Sequence, residues 1–278
     1  MGDSEARARE LVAAHLPGYE VASLARLGAG LDHVAYEVNG ELIVRFGGGV
    51  EADREARLLT AVGGFSPLPV PVPRFTDAGC LAYQKLPGVP LIDAAGVDGV
   101  PVAAALGGLL ASLHAAPAER IERLVETDEL PMAEWRREAA ETYATVSAHV
   151  PSAYRRRIEA FLEAPPPDDP AALAFSHNDL GIEHVLVDPA SGTVTGVIDW
   201  SDAAIVDPAF DFGLIHRDLG PAALDAALAA YGPAPEGLRG RAVFYARCKV
   251  FEDLAYGLES GRQRYADKSL AALEWLFA

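Results

Sequence analysis

Asp179, His184 and Asp199 have the residue types and spacing for chemistry on a phosphate. They sit in His177-Asn178-Asp179-Leu180-Gly181-Ile182-Glu183-His184-Val185-Leu186-Val187-Asp188, followed by Pro189 to Gly192 and then Val194-Thr195-Gly196-Val197-Ile198-Asp199-Trp200. Two apolar runs, Val185 to Val187 and Val194 to Ile198, flank a segment whose Asp, Pro, Ser and Gly mark a turn, so the stretch predicts a hairpin. A hairpin sets His184, just before its first strand, opposite Asp199, just after its second, because cross-strand neighbours lie about 5 Å apart. The two side chains can then share one cation. Asp179 lies in polar, glycine-containing sequence upstream and projects from a loop towards the same place. A metal that neutralises phosphates, beside a carboxylate that positions an attacking hydroxyl, is the equipment of phosphoryl transfer. Magnesium prefers hard oxygen ligands, so the imidazole of His184 is an unusual partner for it. His-x-Asp alone recurs by chance in buried or capping positions; the hairpin with a ligand at each end is what singles this one out.

The elements that must carry these residues differ between the first third and the rest. Residues 1 to 16 predict a short helix. Asn39-Gly40 joins Val34-Ala35-Tyr36-Glu37-Val38 to Leu42-Ile43-Val44-Arg45-Phe46, the strongest short-range sign of a tight hairpin. Glu51 to Val62 reads as an exposed helix between glycine clusters. A proline-rich passage, Pro67 to Pro73, then leads to a strand at Cys80 to Leu86. Beyond Pro87-Gly88 the period changes: Leu106, Leu109, Leu110 and Leu113 recur at i, i+3, i+4 and i+7, the buried face of a helix. That places a boundary between residues 1–86 and 87–278. Further helices fit Ala133 to Ser147, Ser152 to Glu163, Pro221 to Tyr231 and Gly240 to Leu258, and Pro165 to Pro170 is a loop.

Composition excludes several classes. A chain of 278 residues, 50% hydrophobic and 23% charged, has ample material for a core and is not disordered. Its net charge of −17, from 40 acidic and 23 basic residues, opposes general attraction to nucleic acid or anionic membrane and favours a cationic partner; solubility explains the charge equally well. Cys80 and Cys248 give neither a disulfide framework nor a zinc site. Leu11 to Leu16 is too short for a signal peptide. Met1-Gly2 begins like a myristoylation signal, but Ala6 stands where Ser or Thr is required. Val102 to Leu113 falls short of the ~20 residues that span a bilayer. The expected location is the cytoplasm, with no obligate protein partner in evidence.

With these residues in place the sequence resembles the aminoglycoside phosphotransferase family over nearly its whole length. His177 to Val187 is most similar to the branch that phosphorylates the 2''-hydroxyl of gentamicin-type aminoglycosides, which also reads His-Asn-Asp with a His five residues after the Asp. Macrolide phosphotransferases are similar there. The block Ile198 to Pro208 matches the family as well. The resemblance implies an α+β, two-lobed protein-kinase-like fold, with a small antiparallel-sheet lobe for the nucleotide and a larger, mostly helical lobe for catalysis and the acceptor.

It further implies Asp179 as catalytic base, His184 and Asp199 as ligands of Mg2+, and ATP or GTP as co-substrate. Asp207 and Asp211 recur in the family pattern, and a role in tying the catalytic loop's backbone suits them. Gly28-Ala29-Gly30 resembles the loop that covers the nucleotide, where Gly28 and Gly30 let backbone amides approach phosphates, although such glycines on their own mark plain turns. Arg45 falls where the family has a phosphate-binding Lys, paired with a helical Glu: Glu55, with Glu51 as fallback on the same helix face. The exchange matters because Arg and Lys are not interchangeable in tight geometry. Tyr83 to Leu91 resembles the hinge, with Tyr83 behind the base and Gln84 to Leu86 offering backbone bonds.

For the acceptor, Asp202 follows the metal-binding Asp, and Glu252, Asp253 and Glu259 lie on a late helix. These carboxylates suit the ammonium groups of an aminoglycoside; a solvated helix face explains the last three equally well. A macrolide requires a broad apolar wall, for which Tyr245, Phe251, Tyr256, Trp275 and Phe277 are the candidates, and aromatics so spaced also serve as core. Kinases of choline-like amines share the fold and tolerate the acidity. Arg45 in place of Lys also suits a non-catalytic nucleotide-binding pseudokinase, against which the complete set Asp179, His184 and Asp199 argues.

Overall fold

The computed structural model describes residues 2–29, 34–47, 49–77 and 79–278. Helix α1 (Gly2–His15) leads into strands β1 (Leu24–Ala29), β2 (Val34–Val38) and β3 (Leu42–Phe46), helix α2 (Gly49–Gly63), and strands β4 (Pro73–Asp77) and β5 (Cys80–Gln84). The strands form one antiparallel sheet in the order β1-β2-β3-β5-β4. Asn39 (φ 56°) and Gly40 (φ 74°) both take the left-handed conformation that a type I′ hairpin turn demands. The side-chain oxygen of Asn39 accepts the N–H groups of Ala22 and Ser23, which ties the approach to β1 onto the same turn. β4 is an element the proline-rich sequence concealed. Its Pro73 stands at the first residue of an edge strand, where a missing N–H is tolerated.

Alternation along the strands gives the sheet two apolar faces. One packs under Ala8 and Val12 of α1, with Tyr36, Val38, Leu42, Val44, Cys80 and Ala82. The other, with Leu81, meets Leu58, Leu59 and Val62 of α2 and joins the main core.

The remainder comprises β6 (Val89–Pro90), α3 (Gly99–His114), α4 (Ala118–Ile121), α5 (Met132–Val146), α6 (Ser152–Glu163), β7 (Ala174–Ser176), β8 (Val185–Val187), β9 (Val194–Val197), β10 (Ala204–Val206), α7 (Phe210–Leu219), α8 (Pro221–Tyr231), α9 (Leu238–Ser260) and α10 (Gln263–Leu276). Leu106, Leu109, Leu110 and Leu113 of α3 are buried as their spacing predicts. Gly107 lets α3 press against α8, since a Cβ there would stand 2.1 Å from the carbonyl oxygen of Ala227. β6, β8 and β9 form a small sheet, and β7 pairs with β10. α7 is absent from the sequence reading because residues Phe210 to Arg217 are all buried, which leaves no polar face to reveal a period. α10 is also new; its buried face comprises Tyr265, Ala266, Ser269, Ala272, Leu273 and Leu276. Among the described residues no helix is long and apolar enough to cross a membrane.

Candidate active site

The β8–β9 hairpin pairs Val185 with Val197, and the N–H of Ile198 donates to the carbonyl of His184 at 2.9 Å. His184 and Asp199 therefore leave the hairpin side by side. His184 Nδ1 donates to the backbone carbonyl of Asp179 at 2.8 Å and lies 3.3 Å from that residue's Oδ2. A carbonyl only accepts, so Nδ1 carries a proton, and Nε2 lies 3.8 Å from Asp199 Oδ2. Asn178 (φ 65°) and Asp199 (φ 62°) are, with Asn39, the described non-glycine residues of positive φ. Such backbone costs about 1–3 kcal/mol and persists where surrounding structure enforces it, as at functional sites.

The loop that carries Asp179 has no ladder of its own, and side chains hold it. Buried Asp211, in the first turn of α7, accepts the N–H groups of His177 (2.9 Å), Asn178 (3.2 Å) and Leu180 (3.3 Å). Burial pushes its carboxyl up to about 7 against the pull of these three bonds. Asp207 departs from the expected role: it accepts the N–H of Ala209 and pairs with Arg241 and Tyr245, so it ties α9 rather than the catalytic loop. His177 Nε2 donates to the carbonyl of Ile198 at 3.0 Å and its ring packs on Trp200. Burial lowers its pKa to about 3, so the ring is neutral.

Electrostatics separate the acidic groups. Burial raises the carboxyl of Asp179 to about 6, with Glu183 and Asp202 adding to the rise and His184 opposing it. That is a suitable poise for a general base. Burial would likewise raise Asp199, but His184, a hydrogen bond from Ser201 and Arg45 together hold it below the usual carboxylate range. Burial alone would lower His184; Asp179, Asp199 and Glu183 outweigh it and raise it.

Among the residues expected at the nucleotide, Arg45 on β3 forms an ion pair with buried Glu55 of α2, and its Nη1 lies 3.5 Å from Asp199 Oδ1. Glu55 makes this pair, and Glu51 stays exposed. Tyr83 pairs across the sheet with Ile43 beside Arg45 and Asp199, and burial raises its hydroxyl pKa. In the stretch expected as the hinge, the Gln84 N–H donates to the carbonyl of Val72 and the Lys85 N–H to that of Glu41. Of these three amides, only that of Leu86 lacks a partner among the described residues. Gly28 lies in β1 just past an irregularity in its pairing with β2; Gly30 lies outside the described residues.

Among the described residues no three His, Cys, Asp or Glu side chains gather to cage a metal. Asp199 supplies the carboxylate oxygen that magnesium prefers, with phosphate oxygens and water for the rest of its shell, and Nε2 of His184 beside it would join as a ligand on losing its proton.

On the acceptor side the structure brings only part of the expected set to Asp179. Asp202 is exposed beside it, and its carbonyl accepts the Asn178 side chain at 3.0 Å. Glu252 is ion-paired with Lys249 in a groove between α5 and α9. Asp253 is engaged by Lys268 (2.8 Å) and Arg217 (3.3 Å), so its charge is already matched within the fold. Glu259 is exposed with no contact to the catalytic loop among those described.

A cavity of about 510 Å³ instead begins at Asn178, lined by Asp128, Glu129, Trp135, Phe210 and Tyr245 among others. Asp128, Glu129 and Trp135 escaped the sequence reading because non-local pairing puts them there: the Ile205 N–H donates to Glu126, and the Asp128 N–H to Ile205. The apolar wall imagined for a macrolide is not assembled. Phe251 and Phe277 stack inside the core, and exposed Tyr256 packs on Tyr265.

A sequence profile described as "Phosphotransferase enzyme family" matches residues 23–242. Viomycin phosphotransferase of Streptomyces vinaceus is 31% identical over 199 residues, covering 66% of this chain and 69% of the relative. The GDP complex of wild-type aminoglycoside 2'-phosphotransferase-IIIa matches with a TM-score of 0.73 at 22% identity, over 99% of this chain and 98% of that one. The macrolide 2'-phosphotransferase MphH from Brachybacterium faecium matches at 0.64 and 27% identity, over 96% and 97%. The two-lobed kinase-like fold expected from the sequence is the fold observed.

Proposed function

We propose, from the premise that this chain belongs to the phosphotransferase enzyme family, that it moves the terminal phosphoryl group of ATP or GTP to a hydroxyl of an aminoglycoside antibiotic. Residues 1–86 serve as the nucleotide lobe and 87–278 as the catalytic and acceptor lobe. The observation that carries this is one connected chain of contacts, from Asp179 through His184 to Asp199 and on to Arg45 and Glu55.

Asp179 accepts the proton of the acceptor hydroxyl as its oxygen bonds to the terminal phosphorus and the bond to the leaving diphosphate breaks. Arg45, oriented by Glu55, steadies the phosphates through its guanidinium. Tyr83 backs the base, and the Leu86 N–H is the free donor to it. Asp199 and His184 hold Mg2+, which when bound neutralises phosphate charge. Asp202, with Asp128 and Glu129 across the cavity, offers carboxylates to a polycationic acceptor, and Trp135, already overlain by Lys249 and packed on Phe210 and Tyr245, offers surface for its apolar parts. The viomycin and aminoglycoside relatives support an antibiotic acceptor, and the GDP complex supports GTP beside ATP. A macrolide is the second reading, favoured by Trp135, Phe210 and Tyr245 in that cavity and by the macrolide relative.

The enzyme works in the cytoplasm, and its biological effect is antibiotic resistance. The test is release of nucleoside diphosphate with magnesium, offering ATP and GTP separately against kanamycin, gentamicin, viomycin, a macrolide and choline. Strong stimulation by kanamycin or gentamicin is expected. Stimulation by the macrolide or choline alone would replace the substrate, and silence throughout would favour a pseudokinase.

A further inference from the structure

Asp179 stands between two anchors on one helix. Asp211 and Asp218 are seven residues apart on α7, two turns along the same face. Asp211 takes the amides before and after Asp179, and Asp218 Oδ2 accepts the N–H of Ile182 at 3.2 Å. The second anchor is the more demanding, because a carboxylate in the last turn of a helix opposes the helix dipole. Two cations offset this. Arg217 grips Asp218 with two bonds, at 2.7 and 2.8 Å. Lys268 of α10 reaches Asp218 (3.3 Å), Asp253 (2.8 Å) and Glu183 of the catalytic loop (3.0 Å).

Lys268 is one of three lysines in the chain, and its side chain is only 10% exposed. A buried ammonium is costly unless fully paired, so its three carboxylates commit it to this position. The loop is shaped to meet it: a Cβ at Gly181 would stand 2.7 Å from the carboxylate of Glu183, so glycine there lets Glu183 fold back beneath the loop towards Lys268. Arg217 contacts Asp218 and Asp253, whereas Lys268 alone among the described ion pairs also engages Glu183.

We propose that Lys268 is a positioning residue for phosphoryl transfer: bound to Asp218 and Glu183, it clamps the loop beyond Asp179 and makes α10 part of what fixes the base. This rests on the role given to Asp179 above. The test compares the full-length chain with Lys268→Met, Lys268→Arg and Asp179→Asn, by hydrogen exchange of the 177–187 segment and by nucleotide turnover with and without the acceptor panel. In Lys268→Met, exchange should rise within residues 180–184 while α9 keeps its protection. Turnover should fall about 10²-fold, the cost of a small misplacement of a catalytic group, with the nucleotide KM unchanged. Lys268→Arg should recover most of both. If Lys268→Met does not fold, Glu183→Met, which removes the loop's own acceptor for Lys268, should raise exchange within residues 180–184 in weaker form. Unchanged loop exchange, or exchange raised evenly through α9 and α10, would overturn the clamp. Full turnover in Asp179→Asn would instead overturn the assignment of the base, whatever Lys268→Met does.

Discussion

On the β3 side of the site one ion pair, Arg45 with Glu55, faces Asp199, whereas beneath the loop that carries Asp179 the side chains of Glu183, Arg217, Asp218, Asp253 and Lys268 form a buried network and Asp211 adds three backbone bonds. The difference follows from what carries each group. Arg45 is placed by β3, whose ladder to β2 and β5 fixes its backbone whatever the side chain. A cation delivered by a strand can change type and still reach the place proposed for the phosphates. Asp179 sits on irregular backbone, so separate carboxylates must set its place.

The sharpest way to break this contrast is Asp211→Ala. It leaves the amides of His177, Asn178 and Leu180 without their acceptor, each costing about 1–3 kcal/mol. Unfolding free energy measured in urea should drop by about 3 kcal/mol or more, and turnover should fall with it. Arg45→Ala comes next: kcat/KM should fall about 30-fold, mostly in the nucleotide KM, because Glu55 loses its partner as the phosphates lose theirs. Arg45→Lys should keep most activity if the strand sets the position; a loss equal to that of Arg45→Ala would sink the contrast. Trp135→Ala tests the acceptor cavity and should raise the acceptor KM about tenfold while the nucleotide KM holds.

A pH dependence of stability probes a region away from the site. Burial holds His114, between Ser176 and Tyr231, at about 4. The unfolded chain takes up a proton near 6.5 and the native imidazole does not, so stability should decline as pH falls from about 6.5 to about 4. His114→Gln should lessen that slope in urea titrations and leave the part due to buried His177, whose pKa burial lowers to about 3; an unchanged slope would assign it to other groups.

What was legible in the sequence was local. Asn39-Gly40 dictates its turn by its own chemistry, and the β8–β9 hairpin announces itself by two apolar runs around a turn, which is why His184 and Asp199 could be paired in advance. What was hidden depends on partners distant in the chain. Asp207 and Asp211 look alike in sequence, and only the approach of α9 gives Asp207 to Arg241 and Tyr245. Asp253 looked like an acceptor ligand until α7 and α10 supplied Arg217 and Lys268. Asp128 and Trp135 carry no local mark of the cavity they line.

The most direct test of the whole account is Asp179→Asn, with nucleotide affinity by titration and nucleoside diphosphate release on the acceptor that stimulates the native chain. Loss of turnover by about 10²–10⁴-fold with nucleotide affinity unchanged is the expected result for a general base on a loop held independently of it. Turnover near the native rate would contradict it and move the base elsewhere.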